Sequence, residues 1–467
     1  MVAVVGNPFR QRLLDEMAAL PTVDSHSHTD LRREYVKRPE RNLFTLTGYF
    51  ERDVDGLLGR SPTVKGRNAP ATPPANTPGL YAGATSDAER WERLRGVLAR
   101  ARNVSYWRHQ IVTYQGLFDL ADDDVTDDNW AELNERIKAY TARPDWFEYI
   151  HRTRCNLITQ VRVVPWYGEW EPEYFTAVLQ MGSALRLCEA AVRDEFAAVT
   201  GGDLGDLAAA KRAVADYLAG YVRRGAVGIK LSHAYWRSLA HEPVPEAQAA
   251  AIYARAVAGE AVPTSDVVAF EDHLVWFLAG LVAEMGLIFQ IHTGMQGNWD
   301  DIPGSDPLLL LPLIRAHRSV RFDLFHAGYP YARELGVVGK HYPNVWLNAC
   351  WIYLITMAGS RHLLSEWLDL VPAERLLGFG SDVFLPELVY GHLVMARACL
   401  ADVLAEKVER DFLSKSAALD LARWMLRDAP VALYGLERGA AAAARGREPE
   451  QQQVAHHARI AHRLPRR

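Results

Sequence analysis

Thr22-Val23-Asp24-Ser25-His26-Ser27-His28-Thr29-Asp30 is the stretch on which the reading of the whole chain turns. A short run of β-branched and apolar residues ends in two histidines spaced i, i+2. Alternate residues of a strand point to the same side. His26 and His28 can therefore offer two imidazoles to one point, as a metal ion requires. Taken alone, the motif fits a pair of surface histidines near a turn better than it fits a metal site.

Three further segments repeat the pattern of an apolar run that ends in a metal-competent side chain. Leu287–Ile291 ends in His292-Thr293-Gly294. Val320–Phe325 ends in His326-Ala327-Gly328-Tyr329-Pro330-Tyr331. Leu376–Ser381 ends in Asp382. Each reads as a buried strand whose last residue emerges where a loop begins. Functional side chains at the C-terminal ends of strands are the arrangement of a (β/α)8 barrel. The expected fold class is therefore α/β, a distorted (β/α)8 TIM barrel with a helical insertion after the first strand.

The remaining segments follow an alternating order. Residues 9–20 show helical spacing ahead of the first strand. Residues 31–150 form a helical insertion rich in Trp, Tyr and Arg. Pro62, Pro70, Pro73, Pro74 and Pro78 mark a loop within it that excludes helix and central strand and could serve as a lid. Ile158–Val164 reads as the second strand, Ala184–Cys188 as a weak third and Gly225–Leu231 as the fourth. A helix over 206–224 precedes that fourth strand. Helices near 246–258 and 267–285 lead to the His292 strand. His326 follows His292 by 34 residues, one strand–helix–strand unit. Asn344–Trp351 supplies the seventh strand, and helices follow at 389–406 and 410–427. Such alternation argues for parallel strands with right-handed crossovers. The expected division is 1–30 for the first helix and strand, 31–150 for the insertion, 151–436 for the rest of the barrel and 437–467 for a flexible tail.

With 467 residues, 49% of them hydrophobic, the chain can bury one large core with insertions, or two domains. A net charge of −5, with no basic stripe interleaved with aromatics, gives no case for nucleic acid. The four cysteines, Cys155, Cys188, Cys350 and Cys399, are scattered and form no CxxC. They read as buried small hydrophobes in a reducing compartment, not as a thiolate metal site. No apolar run approaches the roughly 20 residues that a bilayer span needs, and the N-terminus lacks a signal-like apolar region. A cytoplasmic enzyme acting on a small molecule is expected, with no membrane partner and with a homo-oligomer left open.

The order HxH, Lys, His, His, Asp on successive strands resembles the amidohydrolase superfamily. The segments Gln290–Gly294, Phe325–Tyr331 and Gly380-Ser381-Asp382, with Glu387 and Tyr390-Gly391, resemble its amidohydrolase-2 branch, which includes uronate-isomerase-like proteins and nonoxidative decarboxylases. The resemblance runs over about 22–436. It implies a divalent metal, zinc first and manganese as the alternative, held by His26, His28, His292 and Asp382. It gives His326 a role on substrate or on a second metal.

Residue chemistry agrees with that assignment. Three imidazoles and a carboxylate suit a borderline cation with positions open to water, which lowers the pKa of bound water to about 7. Asp382 can take and return the proton as general base. This implies hydrolysis of a small polar substrate. The alternatives are isomerisation of a uronate and nonoxidative decarboxylation of a carboxylic acid. Lys230, on the fourth strand, is expected to stay an ammonium near substrate and not to form a bridging carbamate. Arg237 and Arg333 are candidates to grip a substrate carboxylate, or else structural ion pairs.

Overall fold

The computed structural model describes residues 7–37, 41–58, 79–297 and 301–436. The proline-marked loop over 62–78 and the tail from 437 onward lie outside the described residues. Eight strands follow in chain order across one sheet: β1 (Thr22–Ser27), β2 (Leu157–Val164), β3 (Phe175–Gln180), β4 (Gly228–Leu231), β5 (Ile288–Ile291), β6 (Arg321–Leu324), β7 (Val345–Asn348) and β8 (Leu376–Leu377). Helices alternate with them, and the architecture is that of a (β/α)8 barrel with a helical insertion between β1 and β2. Two compact units make up the chain, one formed by 1–160 with 348–467 and the other by 161–347.

In the 161–347 unit, β3 through β7 pair in parallel, with Lys230 opposite Gln290 and Gln290 opposite Asp323. Strands β4 and β5 are buried along their whole length. This is why they read as continuous apolar runs and do not alternate. The third strand departs from the sequence expectation. It is Phe175–Gln180, whereas Gly182–Leu185 is a short helical turn. The β-branched and aromatic content of Phe175-Thr176-Ala177-Val178 is the better strand signal, and Gly182 and Ser183 interrupt the segment that follows.

In the other unit, Asp87–Ala101, Ser105–Leu117 and Trp130–Thr141 are the longer helices of the insertion. Trp91 stacks on Trp130, and Trp107 and Trp146 are fully buried. These indoles are core, as expected of side chains that bury so much apolar area. Among the described residues the helix Pro386–Glu409 is long and apolar enough, by length and composition, to cross a membrane. This corrects the expectation that no run is long enough. Nearly all of that segment is buried inside the protein, where a helix apolar all round is a core helix.

β8 is assigned only two residues because Gly378 donates its N–H to Met425 O at 2.8 Å and not to a strand neighbour. The chain still runs beside β1 beyond that point. Ser25 N–H bonds Phe379 O, and Asp382 N–H bonds His26 O, both at 3.0 Å. These bonds carry Asp382 to the end of β1.

Candidate functional site

His26, His28 and Asp382 meet within the unit formed by 1–160 and 348–467. His26 Nε2 lies 3.3 Å from Asp382 Oδ1, and His28 Nε2 lies 3.2 Å from the same oxygen. Strand alternation puts both rings on one side of β1, and they meet edge to face with centroids 5.0 Å apart. Burial raises the pKa of the Asp382 carboxyl, but hydrogen bonds from His26 and His28 outweigh it and hold the group well below its ordinary value. Two imidazole nitrogens aimed at one carboxylate oxygen form a donor set that a divalent cation can replace proton for ion. The Cys350 thiol joins them: its sulfur, a His26 nitrogen and an Asp382 oxygen all lie within 4.8 Å of one another.

The backbone around this cluster is strained where it delivers side chains. Asp382 has φ +51°, and Trp351, just after Cys350, has φ +63°. Non-glycine residues in the left-handed region carry a penalty that persists where surrounding structure fixes them. Here the fixing contacts are explicit. Tyr49, from the insertion, donates its hydroxyl to Asp382 O at 2.7 Å. Asp24, on the same side of β1 as His26 and His28, accepts from Ser381 N at 2.7 Å and from Ser381 Oγ and Gln160 Nε2 at 2.6 and 2.8 Å. Burial pushes the Asp24 carboxyl up to about 6 against the pull of these hydrogen bonds.

His392 completes the clamp by donating Nδ1–H to Ser381 O at 2.9 Å. Burial, with His109 nearby, drives its pKa down from 6.5 to about 3. The folded protein therefore refuses a proton that the unfolded chain accepts. Stability from this group is complete above pH 6.5 and is lost as the pH falls toward 3. His392→Asn keeps a donor for Ser381 and removes the titration. Unfolding free energies from urea titrations, followed from neutral to acid pH, should fall less steeply in the variant, by about 1.4 kcal/mol per pH unit. Asp24 titrates in the opposite sense in both proteins and cancels in the comparison. Equal slopes would exclude the neutral buried imidazole.

Aromatic side chains reach His28 and Asp382 in the same unit. Phe384, 51% exposed, lies 5.6 Å from the His28 ring between centroids. Tyr49 stacks between Phe384 and Tyr106, with Trp351 tilted against both tyrosines.

The other predicted side chains gather in the 161–347 unit. His326 Nε2 lies 2.9 Å from His292 Nδ1, and His292 Nε2 lies 2.9 Å from Met295 O. A carbonyl only accepts, so His292 carries its proton on Nε2 and accepts from His326 at Nδ1. To ligate a metal, His292 has to surrender one of these bonds. The two loops are laced together at Gly294, where φ is +67° and a Cβ would stand 2.4 Å from Gly328 C and Tyr329 O. Lys230 is buried, with Nζ 3.5 Å from the centroid of the Phe325 ring. Arg237 is buried in an ion pair with Glu271 and Asp272, so its guanidinium is engaged within the protein. Arg333 is exposed in the first turn of Ala332–His341.

Asp24, Tyr49, His392 and Cys350 were not singled out by the sequence reading. Asp24 had a usable signal, since 24, 26 and 28 alternate onto one side of β1. Cys350 had a weaker one, lying just past the end of an apolar strand.

The amidohydrolase family model matches residues 177–436, more than half of the chain. Uronate isomerase of Rhizorhabdus wittichii is 24% identical over 459 residues, covering 88% of this chain and 92% of that one. Protein fluG of Emericella nidulans is 34% identical over 110 residues, which span 23% of this chain and only 13% of fluG. The crystal structure of uronate isomerase from Thermotoga maritima superposes with a TM-score of 0.73 at 16% identity, over 91% of this chain and 97% of that one. Strand-end histidines and a strand-end aspartate on such a barrel, together with the family match, place the chain in the amidohydrolase family.

Proposed function

We propose that the protein is a metal-dependent isomerase that interconverts the aldehyde and ketone forms of a small sugar acid of the uronate type. The observation that carries this reading is the match to a uronate isomerase over nearly the full length of both chains, joined to the convergence of His26, His28 and Asp382. His26, His28 and Asp382 would hold the cation, with zinc favoured by the imidazole content. The bound ion would supply Lewis-acid polarisation of substrate oxygens. Asp382, kept ionised by its two histidines, would accept the proton from the hydroxyl-bearing carbon next to the carbonyl and return it to the former carbonyl carbon. Tyr49 and Asp24, acting through the Asp382 backbone and Ser381, keep that carboxylate oriented. His326 is the proposed donor to a substrate oxygen, and turning its Nε2–H to substrate would break its hydrogen bond to His292.

Two measurements test the reading. Purified protein should bind about one zinc or manganese per chain and should convert a glucuronate- or galacturonate-type substrate to its keto form. His326→Asn should lower kcat by about 10²–10⁴-fold, the range for a positioned acid or base, while metal content stays unchanged. Loss of the metal in that variant would instead make His326 a ligand.

Hydrolysis of a small polar substrate is the second reading, and one observation favours it. Phe384 lies against His28 and stacks with Tyr49, rings that suit a substrate with a planar or apolar face better than a polyol. Turnover of lactones or amides with no turnover of uronates would select it.

A further inference from the structure

We propose that Cys350 is a metal ligand and that its thiolate makes the centre selective for zinc over manganese or magnesium. This rests on the reading that His26, His28 and Asp382 hold a divalent metal. Nothing in the residue spacing marked Cys350, but the fold brings it to the cluster by specific contacts. Asn348, the last residue of β7, accepts the Cys350 N–H at 3.0 Å and the Ser25 hydroxyl at 3.1 Å through one oxygen. The next residue, Trp351, donates its N–H to Gly380 O at 3.0 Å. Gly380 leaves room for the thiol, since a Cβ there would stand 2.8 Å from Cys350 Cβ and 3.1 Å from Sγ. Any other residue at 380 would crowd the Cys350 side chain and the Ser25 hydroxyl.

The distances suit one ion. Donors of a tetrahedral zinc, with Zn–S about 2.3 Å and Zn–N about 2.0–2.1 Å, stand about 3.5 Å apart. The Cys350, His26 and Asp382 atoms lie within 4.8 Å of one another, with His28 joined through Asp382 at 3.2 Å, so an ion would draw these donors inward on binding. The position expected for His292 is less available, because both of its ring nitrogens are engaged with His326 and Met295. Among the described residues Cys350 is the cysteine that shares a cluster with two other metal donors. Cys155, by contrast, is a buried thiol pushed up to about 12 by desolvation, the behaviour of a small core hydrophobe. On binding, the Cys350 S–H proton leaves to solvent and a sulfur–metal bond forms. Soft thiolate favours zinc and cobalt, whereas oxygen-rich sites suit manganese and magnesium.

X-ray absorption at the zinc edge of the zinc-loaded full chain decides the matter without an activity assay. The expected result is one zinc per chain with a sulfur scatterer at about 2.3 Å. Cys350→Ser should keep the zinc, lose the sulfur shell and reduce the preference for zinc over manganese by about tenfold or more, a loss typical of weakened metal sites. Cys350→Ala is made alongside, so that the source of the sulfur is identified even where one variant fails to fold. One zinc surrounded only by nitrogen and oxygen in the unmodified protein overturns the proposal and leaves the metal centre intact. Absence of zinc from the unmodified protein, with no change in His26→Ala, overturns the metal centre and this proposal together.

Discussion

Asp382→Asn is expected to lower kcat by about 10²–10⁴-fold, the usual contribution of a positioned general acid or base, while the protein stays folded. Asparagine tolerates the left-handed backbone that Asp382 adopts at φ +51°. The main-chain bonds to His26 O and from the Tyr49 hydroxyl survive the change. What is lost is the charge that His26 and His28 stabilise and the ability to take up a proton. Because the same oxygen is a proposed ligand, rate and metal content have to be measured together, with circular dichroism as the folding control. A rate near that of the unmodified protein, with metal still bound, would rule out proton transfer by Asp382 in either the isomerase or the hydrolase reading.

The parts of this site that could be read from the chain are those written in local pattern. Apolar runs ending in His26, His292, His326 and Asp382 announce strand ends because a buried parallel strand needs side chains that are apolar on both faces. The weak third strand was misplaced because its run is short and its neighbour at 184–188 is comparably apolar. The supporting contacts were out of reach for a different reason. Tyr49 meets Asp382 across 333 residues of sequence, and Asp24 meets Ser381 across 357. No periodicity within either segment encodes such a meeting. Cys350 was read as a hydrophobe because thiolate sites are recognised by paired spacing, and a single cysteine completing a histidine–carboxylate set has none. The burial of Pro386–Glu409 is likewise a tertiary fact, since length and composition alone pass the helix as a membrane span.

Arg237 shows how the same side chain can be read as substrate clamp or as scaffold, and a stability measurement separates the two. Its guanidinium bonds Glu271 and Asp272 and also donates to the carbonyls of Ala240 and Val268, at 2.8 and 3.3 Å. His241 Nδ1 reaches Asp272 at 3.2 Å and His233 lies 2.9 Å from the other nitrogen of His241, so the pair is the root of a buried polar chain. Burial pushes the Asp272 carboxyl up, yet the His241 hydrogen bond and the Arg237 guanidinium prevail and hold it below its ordinary value. Arg237→Met leaves two neighbouring buried carboxylates without their cation. Removing one partner of a buried ion pair costs about 3–5 kcal/mol, because the remaining charge is uncompensated. The expected result is an unfolding free energy, from urea titration, lower by that amount. Adding Glu271→Gln and Asp272→Asn to Arg237→Met should recover part of the loss, since neutral amides carry no charge to strand. Unchanged stability with a KM raised many-fold would instead assign Arg237 to the substrate carboxylate, and the ion pair would then be one that opens on binding.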